Sequence, residues 1–246
     1  NMIFSQNPYR VLGVVSNSGV KEIKKNISKL KAFSKIGKEV AFDFDLSFLN
    51  LATLDRAESS LLQSENSLNM DKNKITNSLF WFTDLSSVDS VALANLIKGD
   101  TAKSIEIFEK ATKSNEVTSK NYSSFNNLST LLLLTSLDES RTDTFKKDDT
   151  SIQRIRKALE LKSLFLSSTL YNTYCEEICR SVALDSASAQ DFFTTSILDL
   201  LNKNFNTKEI SSLFDGLDNH LKEKLSDTLT EAPLSNVKSH IESANE

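Results

Sequence analysis

Apolar residues recur every three or four positions along most of the chain, which is the period of amphipathic helices. The clearest stripe predicts a helix that begins near Val20 and ends at Gly37, with one buried side: Val20, Ile23, Ile27, Leu30 and Phe33. Comparable stripes predict helices over about 55–68, 87–98, 101–113, 119–136, 151–165, 168–182, 185–202 and 207–217, and Pro233 opens a last one. No segment alternates with period two for long enough to predict a strand.

The composition points the same way. The 246 residues include only five Gly and two Pro, whereas a β-rich protein of this size needs many more turn residues. A hydrophobic share of 39% is enough for a packed core. We therefore predict an all-α fold.

Basic residues are concentrated near the start of the sequence. The first 40 residues carry eight basic and two acidic side chains, a net charge of +6, whereas the whole chain carries −4. Four of the lysines lie off the apolar stripe of the helix that begins near Val20: Lys21, Lys24, Lys25 and Lys29. These lysines are either an ordinary solvated face or a docking surface for an acidic partner.

The stretch NPYRVLGV, residues 7–14, resembles the first helix of a J-domain, the co-chaperone module that docks on the heat-shock ATPase. The basic second helix of that family is matched by Ile23, Lys24, Lys25, Lys29 and Leu30. The likeness covers about residues 6–80 and implies a three-helix J-like module over residues 2–84. It extends to bacterial proteins that begin with this motif and continue into helical repeats.

The chain departs from the J-domain pattern at its functional triplet. The family's His-Pro-Asp would fall on Lys35, Ile36 and Gly37, and no His occurs before His220. The resemblance therefore implies a degenerate J-like module that does not stimulate an ATPase. Active recruitment of the chaperone without the triplet is the alternative.

A second resemblance lies in residues 91–112, which are similar to one tetratricopeptide unit. Ala92 occupies the small position of the first helix, Gly99 and Asp100 the turn, and Phe108 and Ala111 the second helix. A second copy would begin near Ser119, but a long polar loop follows it. The likeness implies an irregular tetratricopeptide-like bundle over residues 85–246. Such units bind peptides or proteins, so we add two candidate partner-binding residues, Asn95 and Lys98.

The sequence offers no pattern typical of an enzyme or a metal site. Five scattered glycines cannot form a phosphate-binding loop, and the histidines, His220 and His240, stand in polar segments. Cys175 and Cys179 share one helix face and are most simply explained as buried thiols, because a zinc site needs four ligands. We expect no catalytic activity, no cofactor and no metal.

We also expect a cytoplasmic location without membrane insertion. No secretory signal follows Met2, and the longest apolar run, residues 131–134, is far shorter than the roughly 18 residues that span a bilayer. A pI near 5.4 argues against nucleic acid as the partner. The predicted function is a non-enzymatic protein–protein interaction or scaffold module. Its partner has an acidic surface, and a heat-shock ATPase chaperone is one candidate. A nucleic-acid or anionic-surface binder is the other alternative.

Overall fold

The computed structural model describes residues 2–139 and 147–217, together with residues 222–224, 226–227 and 229. Its described residues form helices and no strand, which confirms the all-α prediction. The helices are α1 (Pro8–Val11), α2 (Val20–Ser34), a 3₁₀ helix (Asp43–Asp45), α3 (Glu58–Ser67), α4 (Asp71–Ser78), α5 (Ser87–Ile97), α6 (Thr101–Thr112), α7 (Tyr122–Ser136), α8 (Asp149–Ser167), α9 (Leu170–Cys179), α10 (Ser186–Asn204) and α11 (Thr207–Leu213). The helix predicted from Pro233 and both histidines lie outside the described residues.

Short polar side chains fix where half of the described helices begin. The Asn7 side chain accepts a hydrogen bond from the amide of Tyr9, and Pro8 occupies the first turn of α1. The same capping role is played at later helices by Ser86, Asp100, Asp148, Asp185 and Asn206. These caps explain why the predicted starts of the helices lie within a few residues of the observed ones.

The predicted buried stripe of α2 is correct only in its middle. Ile27 and Leu30 are buried, but Val20 is 66% exposed and Phe33 is 36% exposed, because α2 packs on the rest of the protein along its central turns alone. Asn26 shares the buried side and donates a hydrogen bond to the Leu12 carbonyl at 2.9 Å. On α3, the apolar residue Leu62 is likewise 52% exposed.

Helix α7 is the centre of the C-terminal helices. It is buried along almost its whole length, including the four leucines of residues 131–134. Helix α8 packs along it, and the hairpin of α5 and α6 packs on its other side through α6. Because α7 is covered by several neighbours, its polar residues must find hydrogen-bond partners inside the protein.

Those polar residues hold the segment of residues 78–84, which joins the first four helices to α5. The Asn127 amide bonds to both the backbone N–H and the carbonyl of Thr83, at 2.9 and 2.8 Å. Asn126 donates to the carbonyl of Ser78, and Trp81 donates its ring N–H to Val14 at 2.9 Å. The segment is thereby tied both to α7 and to the start of the chain.

The N-terminal turn is held from the far end of α7. The Glu139 carboxylate accepts hydrogen bonds from the backbone amides of Phe4 and Ser5, at 2.9 and 2.7 Å. The J-like packing of residues 2–84, the tetratricopeptide-like packing of residues 85–246 and the division between them stay predictions. None of the described helices is both long and apolar enough to cross a lipid bilayer.

Candidate functional site

The four candidate lysines of α2 lie at its solvent-exposed surface: Lys21, Lys24, Lys25 and Lys29. We call them the lysine face. Within the described part of the chain none of them forms an ion pair, whereas Lys31 on the same helix reaches Glu65 of α3 at 3.7 Å. The amino group of Lys29 lies over the ring of Phe42, 5.3 Å from the ring centre.

The lysine face repels itself. Lys21, Lys25 and Lys29 are spaced four residues apart, so their charges lie on neighbouring turns of α2. Glu22 is the acidic residue in the first turn of the helix. Like charges at this spacing destabilise a helix slightly, so apart from the contact of Lys29 with Phe42 the face does not stabilise the fold.

A buried network holds the loop that supports α2. Arg10 is buried and donates to the carbonyls of Ser5, Asp45 and Ala52, while Arg56 forms an ion pair with the Asp45 carboxylate. Burial is the main cause that lowers the pKa of Arg10 to about 10, which leaves it charged at neutral pH. Its charge is therefore used inside the protein and not at the surface.

Gly13 lets this loop approach α1 closely. Its φ is +69°, and a Cβ at this position would lie 2.4 Å from the ring of Phe42. Phe42 in turn lies under Lys29 and Arg56. The glycine of the NPYRVLGV motif thus sets the position of the aromatic ring that borders the lysine face.

A cleft opens beside the other edge of the lysine face, with a volume of about 470 Å³. We call it the α2–α9 cleft. It is lined by the N-terminal half of α2, by the C-terminal end of α9 and by residues of α3 and α4. Its lining includes apolar and basic side chains as well as two acids: Val20, Ile23, Lys24, Ile27, Glu65, Leu68, Lys74, Glu177, Ile178, Cys179 and Arg180. Lys24 therefore belongs to both the lysine face and the cleft.

Arg180 has an unusual backbone on the wall of this cleft. It follows the last residue of α9 with φ +62°, in the left-handed region that helices usually fill with Gly. Its amide donates to the Glu176 carbonyl at 2.8 Å, as in a helix C-cap. Its guanidinium is exposed and forms no ion pair with any residue that the structure describes. Sequence reasoning missed Arg180, because nothing local marks it.

A second cavity, of about 670 Å³, lies by the loop that Arg10, Asp45 and Arg56 hold together. All five N–H groups of Arg56 donate to groups within this network. Those donors are therefore already used and are not available to a ligand in this cavity.

The remaining candidate residues lie elsewhere. Asn95 and Lys98 are at the C-terminal end of α5, and neither of them lines the cleft. The Asn95 amide donates within its own helix, to Val91. Residues 35–37, where the J-domain triplet would stand, form the exposed turn after α2.

Among the described residues, no group of three or more His, Cys, Asp or Glu side chains could hold a metal ion. Cys175 is fully buried, which raises the pKa of its thiol to about 11, and Cys179 is half-buried beside the cleft. Asp89 accepts hydrogen bonds from the hydroxyls of Ser123 and Ser124 in the core. The contacts of Asp89 join α5 to α7.

Lys162 is the least expected of the buried groups. It is completely buried and donates to the Leu79 carbonyl and to the Asn126 side chain, both at 2.6 Å. Burial lowers its pKa well below the ordinary value of 10.5. Its partner Asn126 is one of several polar side chains that are buried along α7.

Comparison with known proteins identified no matching family model, no matching curated protein and no matching solved structure.

Proposed function

We propose that the protein is a non-enzymatic protein–protein interaction module, and that the lysine face of α2 docks a partner with an acidic surface. The observation that carries this proposal is the absence of any ion pair to the four lysines within the described residues, on a helix where Lys31 does have one. Unpaired charges of one sign gain nothing for the fold but raise the rate and selectivity of encounter with an opposite charge.

The alternatives have less support. The turn at residues 35–37 is exposed, but Lys35, Ile36 and Gly37 offer neither the ring nor the carboxylate of the J-domain triplet. Nucleic-acid binding shares the basic helix, but the whole chain is acidic and its net charge is −4. An acidic protein surface is the partner that these features fit best.

Affinity capture from native cells with matched charge reversals tests this proposal. The test variant is Lys24→Glu with Lys25→Glu. The control is Lys113→Glu with Lys120→Glu, two exposed lysines of the α6–α7 region that form no ion pair among the described residues. We expect an acidic protein to be retained by the wild type and the control, lost by the test variant and released by salt, since salt screens exposed charges.

Equal recovery by both variants would overturn the proposal. Recovery of nucleic acid alone, removed by nuclease treatment, would replace it with the nucleic-acid alternative. Circular dichroism melting of each variant establishes whether it is folded, so that a difference in captured protein does not come from unfolding.

A further inference from the structure

The α2–α9 cleft adds to the lysine face an apolar surface and a second exposed cation. Val20 is exposed at its mouth and Ile23 is partly exposed on its wall, although both belong to the apolar stripe of α2. Lys24 of α2 and Arg180 at the end of α9 both line this cleft. Neither cation forms an ion pair within the described ranges, 2–139 and 147–217.

The acidic residues of the cleft do not cancel these cations. Glu65 is paired with Lys31, and Lys74 is paired with Asp71 at 2.8 Å. Glu177 on α9 is the remaining carboxylate of the lining, and it balances one of the two positive charges of Lys24 and Arg180. The unpaired charge in the cleft is therefore positive, and it continues into the lysine face.

We infer that the α2–α9 cleft seats a short acidic segment of the partner that carries an apolar side chain between carboxylates. The apolar side chain packs against Val20 and Ile23, and its carboxylates meet Lys24 and Arg180. The volume of about 470 Å³ is in the range of pockets that hold a ligand, and it suits a few side chains of a segment. This inference rests on the proposed function, and it states which part of the partner is recognised.

Two substitutions separate binding in the cleft from folding. Arg180→Gly removes a cation and places at φ +62° the residue that this conformation favours. Val20→Asp removes the exposed apolar contact and adds an acid in the first turn of α2, where helices favour negative charge. Both variants are expected to fold. The matched controls are Lys120→Gln and Val91→Asp, since Val91 is 54% exposed on α5, away from the cleft.

The probe is a library of random peptides displayed on phage and selected on the wild-type protein. We expect the enriched peptides to place Leu, Ile or Phe between Asp or Glu. A selected peptide made synthetically should bind each control as it binds the wild type, and at least tenfold more weakly to Arg180→Gly and to Val20→Asp.

Three results would overturn the inference. The first is enrichment without acidic residues. The second is unchanged affinity of the peptide for both cleft variants. If Lys24→Glu with Lys25→Glu still abolished capture of the partner from cells, that result would reject the cleft alone and leave docking on the lysine face in place. The third is concentration-dependent self-association in sedimentation that Val20→Asp abolishes, because the occupant would then be a second copy of this chain.

Discussion

Lys24 and Arg180 line the same cleft, although one lies on α2 and the other at the C-terminal end of α9. Lys24 was identifiable from the sequence as part of a basic helix. Arg180 acquires its position only when α9 packs beside α4 and lines the cleft together with α2. The relationship places an exposed cation from the C-terminal helices next to the lysine face.

Replacing Arg180 by Gly should stabilise the protein. A left-handed backbone is unfavourable for a residue with a Cβ, so we expect the free energy of unfolding to rise by up to about 1 kcal/mol in urea denaturation. Asn115→Gly is the control, since Asn115 has φ +55° and asparagine tolerates this region better. A lower free energy of unfolding for Arg180→Gly would show that its side chain makes a stabilising contact.

Replacing Lys25 by Glu should also leave the fold intact. The new carboxylate would stand four residues from both Lys21 and Lys29, so two repulsions become attractions, while the attraction of residue 25 to Glu22, three residues earlier, becomes a repulsion. The free energy of unfolding should therefore rise by at most a few tenths of a kcal/mol. The gain should shrink at about 1 M salt. Lys25→Gln should give about half of the rise in the free energy of unfolding that Lys25→Glu gives. Destabilisation by Lys25→Glu would instead indicate an internal ion-pair network around this lysine.

The Glu139 carboxylate should be needed to hold the N-terminal turn. A Gln at this position keeps one acceptor oxygen for the two amides of Phe4 and Ser5, and it removes the charge. We expect Glu139→Gln to lower the free energy of unfolding by about 1 to 3 kcal/mol and to speed hydrogen exchange of those two amides. Glu116→Gln, an exposed change of the same kind, should do neither. Unchanged exchange at Phe4 and Ser5 would contradict the contact.

Lys162 should make the stability of the protein depend on alkaline pH. Burial lowers its folded-state pKa, whereas the unfolded chain keeps the proton up to about pH 10.5. Between these two values the unfolded state binds more protons, so the contribution of this group makes stability rise with pH. Cys175 opposes the rise, because its pKa is raised from 9.0 to about 11 by burial. The contribution of Lys162 is therefore obtained by comparing the pH dependence of stability of the wild type with that of a variant that lacks this lysine.

We expect the free energy of unfolding of Lys162→Met, measured from about pH 7 to about pH 10, to rise less with pH than that of the wild type. Loss of the hydrogen bonds to Leu79 and Asn126 shifts the whole curve but does not change its slope. The curve of the control variant Lys120→Met should run parallel to that of the wild type. A Lys162→Met curve that is also parallel would mean that Lys162 carries the same proton in both states.

The bounds of most helices could be predicted from the sequence because they depend on local spacing. The lysine face was predictable for the same reason. The exposure of Val20 and Phe33 was not, since the pattern shows which residues are apolar but not how much of a helix the neighbouring elements cover. The sequence assigns Lys162 no buried role because lysines are almost always at the surface, whereas the structure buries it against Leu79 and Asn126.

The most direct test of the lysine face is site-specific photo-crosslinking from Ser28. This exposed residue lies one turn from Lys24 and Lys25, so a photoreactive amino acid there samples the face without removing a lysine. Ser114, exposed at the end of the α6 region, is the control position. We expect an acidic protein to be crosslinked from position 28 and not from 114, and the crosslink to vanish in Lys24→Glu with Lys25→Glu. Crosslinking of that protein from 114 alone, or from 28 regardless of the charge reversal, would contradict docking on the lysine face.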